Sequence, residues 1–149
     1  MTEATTLDSN PLSLERQVCF ALAVASRSVI GLYRPVLEPL GLTHPQYLVM
    51  LALWEKSPRS VSELADALSL ESATLSPLLK RLEQAGLVHR QRSAHDERAL
   101  EVTLTPDGLA LRDRALEVPG RIVERLGLPV EQLEQAKIVL DRLIAAAND

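Results

Sequence analysis

VSELADALSLESATLSPLLKRLEQAGLVHRQRSAHDERALEVTLT, residues 61–105, carries two different periodicities one after the other. Val61, Leu64, Ala65 and Leu68 recur at spacings of three and four behind a Ser60/Glu63 capping-box pattern, which predicts a two-turn helix ending near Ser69. Leu75, Leu78, Leu79 and Leu82 predict a second helix from about 73 to 85, closed by Gly86 in the left-handed region. Pro77 constrains its start: with Thr74 as N-cap the proline falls in the first turn, and an earlier start requires a kink or a loose opening turn. Beyond Gly86 the period drops to two. Leu87, His89 and Gln91 oppose Val88, Arg90 and Arg92; Leu100, Val102 and Leu104 then alternate with Glu101 and Thr103, so two strands are joined by Ser93–Arg98. Two short helices followed at once by a β-hairpin predict a helix-turn-helix with a wing, its second helix the one expected in a DNA major groove.

Upstream, apolar positions from Leu14 to Leu40 predict one long amphipathic helix over 13–40, capped by Ser13, tightened near Pro35 and closed by Gly41. Thr43 and Gln46 form a capping box with Pro45 in the first turn, opening a helix over 43–56. Downstream, Thr105 and Pro106 announce a helix to about Val118, where Pro119 and Gly120 kink or break it. The segment 129–146 places Leu133, Ala136, Leu140, Leu143 and Ala147 on a narrow seam of the kind used between helices of different subunits. The expected architecture is a single domain over 1–149, mainly α with a small β-hairpin wing. Residues 13–56 and 106–147 form dimerisation helices and 59–105 a winged helix-turn-helix lobe, with the first dozen residues as an arm.

Composition agrees with a helical body: 46% of the 149 residues are apolar but only 3% aromatic, so the core must be built from Leu, Val and Ala. The net charge is -4, yet residues 72–98 hold five basic and three acidic side chains, a local +2 suited to phosphate. The face opposite the leucine stripe carries Ser72, Ala73, Thr74 and Ser76, then Lys80 and Arg81, which places short hydroxyls near base edges and cations further along. At the hairpin tip, Asp96 can hold Arg98 for entry into a narrow minor groove. A polar N-terminus and apolar runs short of roughly 18 residues predict a cytoplasmic protein with no membrane partner. One cysteine excludes an internal disulfide; His44, His89 and His95 lack metal-ligand spacing and no Gly-rich phosphate loop is present, so neither cofactor, metal nor enzymatic turnover is expected.

The stretch Val61–Thr105 resembles the winged helix of the MarR family of bacterial transcriptional regulators, with the wing signature D-x-R at Asp96–Arg98 followed by a strand and L-T. The segment Leu14–Glu55, LERQVCFALAVASRSVIGLYRPVLEPLGLTHPQYLVMLALWE, is similar to the organic-hydroperoxide-sensing repressors of that family, OhrR. The resemblance implies a homodimer with interlocked first and last helices, bound to a palindromic double-stranded DNA operator and released when a cysteine in the first helix, here Cys19, is oxidised by an organic hydroperoxide. It also implies DNA contacts from Ser72, Thr74 and Arg98, and partner-chain tyrosines that hold the cysteine. Where these repressors commonly read T-Y-P-Q-Y, this chain reads Thr43, His44, Pro45, Gln46, Tyr47, so His44 stands in place of a thiolate-binding tyrosine.

The residues themselves can be asked whether such a switch is sensible. Cys19 would lie in the second turn after a Ser13 cap with Arg16 one turn before it, where cation and helix dipole favour a thiolate although the dipole fades after the first turn. Tyr33 follows fourteen residues later, within roughly 40° of the same face but about 21 Å along the axis, beyond reach inside one straight helix. An antiparallel twofold partner brings Tyr33 of one chain beside Cys19 of the other. With one cysteine, a protein disulfide requires Cys19 to pair with its own symmetry mate, which about 20 Å or more between the two sites would forbid; oxidation then runs from sulfenic acid to a mixed disulfide with a small-molecule thiol or to higher acids. A bulky adduct would disturb the half-site spacing, which must stay near 34 Å. The alternative is a regulator answering to a non-covalent aromatic ligand, for which Cys19→Ser would leave induction intact.

Overall fold

The computed structural model describes residues 10–14, 17–93 and 99–148. Among these, the chain runs α1 (Val18–Leu37), a 3-10 turn (Glu38–Leu40), α2 (His44–Glu55), β1 (Arg59–Ser60), α3 (Val61–Leu68) and α4 (Ser72–Gln84). It continues through β2 (Val88–Arg92), β3 (Leu100–Leu104), α5 (Pro106–Ala115), α6 (Val118–Leu126) and α7 (Val130–Ala147). The sheet is antiparallel in the order β1-β3-β2, with Val88 opposite Leu104, Arg92 opposite Leu100 and Arg59 opposite Val102.

Local chemistry sets most boundaries. Thr43 caps α2 by accepting from the Gln46 N–H while the Gln46 side chain accepts from the Thr43 N–H, completing the box. Ser60 accepts the Glu63 N–H at 3.0 Å and opens α3; Thr105 accepts the Gly108 N–H at 3.0 Å and opens α5. Pro35 is carried inside α1, and the tightening falls just beyond it in the 3-10 turn, which Gly41 leaves at φ 72°.

Several expectations are corrected. Ser13 does not cap α1: the helix begins at Val18 behind Gln17, whose side-chain amide donates to the carbonyls of Pro11 and Ser13 and folds the entry into a turn. Thr74 is not the cap of α4 either. The cap is Glu71, without a side-chain bond, and Pro77 sits inside the helix. A new helix, α6, begins at Val118, with Pro119 in the first turn where its missing N–H is harmless. β1 was not anticipated, because a two-residue strand has no period to read. Finally, Val18–Leu40 is long and apolar enough to cross a membrane by length and composition alone, contrary to the expected absence of such a run. Arg27 and Arg34 interrupt it, and of its side chains only those at its end, Val36 and Leu37, are buried.

One core runs from the end of α1 to α6. Leu37, Met50, Leu53, Leu64, Leu75, Leu79, Leu82, Val88 and Val102 are fully buried within it. α1 packs chiefly on α6, and α4 on α2, α3 and β2. α7 has no buried residue, and the first half of α1 is equally bare: Val18 is 67% exposed and Ile144 55%. Exposed apolar side chains are thus concentrated on these two long helices.

A tight junction joins α2, α5 and the hairpin. The Trp54 indole N–H donates to the Gly108 carbonyl at 2.9 Å, the Thr105 N–H to the Leu87 carbonyl at 3.1 Å, and the Thr105 hydroxyl to the Gly86 carbonyl at 2.6 Å. Gly108 lies directly against Leu87, whose carbonyl oxygen occupies the place a Cβ would take.

Candidate functional site

α4 is anchored by Leu75, Leu79 and Leu82, all buried, and this turns the opposite face outward. Ser72, Ala73, Thr74, Ser76, Lys80 and Arg81 are each exposed on it. The α3–α4 turn is sharpened by Ser69 at φ 55°, a left-handed conformation that a short polar residue tolerates. The Leu87 N–H donates to the Leu82 carbonyl at 3.0 Å where the hairpin leaves this helix, and the Arg90–Glu83 pair ties it further along. The Arg90 backbone N–H donates to a Glu83 carboxylate oxygen at 3.1 Å, and its guanidinium reaches the other oxygen at 3.2 Å. The Arg90 N–H foremost, with its guanidinium in support, holds the Glu83 carboxyl below its ordinary range against the opposing effect of burial. Asp96 and Arg98, expected at the wing tip, lie outside the described residues, as does Arg16.

A second constellation forms where α1 meets the start of α2. The Tyr33 ring lies 4.7 Å from His44 in an edge-to-face contact and 5.9 Å from Tyr47. Burial pushes both phenols up, Tyr47 additionally through Tyr33, and pushes the His44 imidazole down. His44 is half-buried. Burial thus favours the neutral imidazole, which offers an N–H donor.

The sign of that shift sets a pH dependence. The unfolded chain binds a proton on His44 more readily than the folded one, so this contribution to stability is complete above about pH 6.5 and is lost as pH falls below it. The melting temperature is expected to decline between pH 7 and 5, with a shallower decline in His44→Phe; identical slopes in thermal melts would exclude the effect.

Cys19 stands apart from this cluster. It is the second residue of α1, exposed, in an apolar cavity of about 370 Å³ formed with Val18, Leu22, Leu143, Ala146 and Ala147. The later helix start puts it in the first turn rather than the second, beside backbone N–H groups that have no partner within the helix. Since α1 runs unbroken from Val18 to Leu37, Cys19 and Tyr33 of one chain are separated by about 21 Å of helix rise.

The MarR family pattern matches residues 42–100. The organic hydroperoxide resistance transcriptional regulator of Bacillus subtilis (strain 168) is 42% identical over 133 residues, covering 89% of this chain and 90% of that protein. The chain belongs to the MarR family. Among solved structures, reduced AbfR bound to DNA superposes with a TM-score of 0.77 at 37% identity, covering 91% of this chain and 92% of that one. Overoxidised AbfR bound to DNA follows with 0.69 at 37% identity, covering 88% and 94%.

As a MarR-family transcriptional regulator the chain is a DNA-binding protein and not an enzyme. The structure brings Tyr33, His44 and Tyr47 together, sets the α4 residues on one open face, and keeps Cys19 at the far end of α1. Sequence reading missed Arg90 as the fastening of the wing. Its signal was the Glu83 carboxylate on α4 seven residues earlier, which only the fold of the hairpin back onto α4 turns into a contact.

Proposed function

We propose that the protein is a homodimeric cytoplasmic repressor that binds a palindromic operator through α4 and the wing and releases it when Cys19 is oxidised by an organic hydroperoxide. The observation that carries this reading is the separation of the lone cysteine from the Tyr33–His44–Tyr47 cluster along one helix, combined with the bare apolar faces of α1 and α7. A second copy lying antiparallel along α1 covers those faces and seats the partner's cluster at each Cys19. The name of the Bacillus subtilis relative supplies the oxidant class.

The chemistry is a two-electron transfer. The thiolate sulfur attacks the distal peroxide oxygen, an S–O bond forms and the O–O bond breaks. The alkoxide leaves, takes up a proton to become an alcohol, and Cys19 becomes a sulfenic acid. A small thiol then condenses with the sulfenic acid, forming a mixed disulfide and expelling water. AbfR has been observed on DNA in an overoxidised form, so in that relative oxygen addition is compatible with binding. This favours the larger mixed disulfide as the adduct that moves the recognition helices apart.

The test is a mobility-shift titration of an operator fragment with reduced protein, then with cumene hydroperoxide plus a small thiol, alongside light scattering. A dimer that shifts DNA only when reduced is expected; a monomer in solution, or DNA retention after complete Cys19 oxidation and thiol adduction, would sink the proposal. For the interface, Lys80→Ala is expected to weaken binding to all sequences alike and to lower the salt slope by about one, as removal of one phosphate contact should. An unchanged slope would move Lys80 off the DNA.

A further inference from the structure

β2 is an outer strand of the sheet β1-β3-β2, so the N–H groups on its far side have no neighbouring strand to bond. Arg90 lies on this strand opposite Val102, which is fully buried and pairs in turn with Arg59 of β1. Its backbone N–H is taken by Glu83 Oε2 at 3.1 Å, and its Nε and Nη2 both reach Glu83 Oε1, at 3.3 and 3.2 Å. One carboxylate thus holds backbone and side chain of the same residue, so the tilt of the strand and the rotamer of the arginine are set together. The other end of the clamp is equally firm, because Glu83 follows the fully buried Leu82 in the last turn of α4. The bond from the Leu87 N–H to the Leu82 carbonyl fixes only the root of the hairpin; the clamp acts three residues further out.

Arg90 is a cation on the lobe read above as facing DNA, but a phosphate contact needs donors turned outward. Its side chain is only 24% exposed, with Nε and Nη2 committed to a carboxylate itself 34% exposed, whereas Lys80 and Arg81 stand exposed on the open face of α4. We propose that Glu83 and Arg90 are positioning residues: without touching DNA, they fix the angle between the recognition helix and the wing, so that both engage the operator at once. A wing that swung freely would have to be ordered on binding, and fixing it beforehand removes that cost. The gain applies to a sequence that requires both elements, not to non-specific DNA held by phosphate charge. The assignment rests on the reading of α4 and the wing as operator-binding elements.

The sign of one substitution separates positioning from contact. Glu83→Gln takes a negative charge off the DNA-facing lobe and releases Arg90, so a phosphate-contacting Arg90 would then bind DNA more tightly; a positioning pair binds its operator more weakly. Reduced full-length protein is titrated by fluorescence anisotropy, across a range of salt, with a duplex that the wild type has selected from a random pool and with a scrambled duplex of equal length. Glu83→Gln and Arg90→Gln are each expected to lower affinity for the selected duplex about tenfold, as loss of a charged hydrogen-bonded contact allows, with the double variant no weaker than either single one. Affinity of Glu83→Gln for the scrambled duplex is expected to hold or rise, and the salt slope of Arg90→Gln to stay at the wild-type value. A general loss of folded protein would instead weaken both duplexes alike. Glu83→Asp keeps the charge but shortens the reach, and is expected to weaken the selected duplex too, which serves where thermal melts show the glutamine variant to be unfolded. Unchanged or tighter binding of the selected duplex by Glu83→Gln or Glu83→Asp, or a salt slope that drops by about one in Arg90→Gln, overturns the positioning role while leaving operator binding intact. A wild type that selects no duplex over the scrambled one overturns the operator reading itself.

Discussion

Cys19→Ser is expected to stay on its operator at cumene hydroperoxide concentrations that strip the wild type completely, with unchanged affinity in the reduced state. The hydroxyl cannot accept oxygen from a peroxide, and exchanging sulfur for oxygen leaves the shape of the side chain almost unchanged. Release by the serine variant would instead favour a non-covalent effector. The geometry can be tested more sharply with a mixed dimer of one Cys19→Ser chain and one Tyr33→Phe chain. If the cluster serves the partner's thiol, one of its two sensors is whole, because the remaining cysteine faces the remaining phenol. The Tyr33→Phe homodimer is expected to oxidise about tenfold more slowly, matching loss of one hydrogen bond to a charged group, and the mixed dimer at the wild-type rate. A mixed dimer as slow as the Tyr33→Phe homodimer would place the phenol and thiol in the same chain.

Gly108→Ala is expected to lower stability by about 2–3 kcal/mol and the melting temperature by roughly 4–12 °C. Two effects compete. Alanine gains about 1 kcal/mol of helix propensity in α5. Against this, the new methyl falls on the Leu87 carbonyl, which is backbone, accepts the Thr105 N–H, and cannot swing aside as a side chain would. Overpacking dominates, so the sign is unfavourable. Gly120→Ala in α6 is the control, since a Cβ there meets nothing and only the propensity gain remains. A Gly108→Ala protein as stable as the wild type would mean that the hairpin and α5 slide freely past each other.

The helix-turn-helix was legible because Leu75, Leu79 and Leu82 obey the period of a buried stripe and Thr43, Ser60 and Thr105 are capping residues whose chemistry is local. The start of α1 was not. Ser13 has the chemistry of a cap, but Gln17 uses its amide on the Pro11 and Ser13 carbonyls, a competition among turns that residue type alone does not decide. The Tyr33–His44–Tyr47 contacts follow from the T-x-P-Q-Y stretch only once α2 folds back on α1.

The bare faces of α1 and α7 also bear on how alleles of this gene combine. If those helices are completed only by a second copy, a chain with a ruined α4 still pairs with normal chains and leaves each such pair gripping half an operator. Lesions in the reading head should therefore be dominant. Lesions that prevent α7 from forming should be recessive, because such chains never enter a pair.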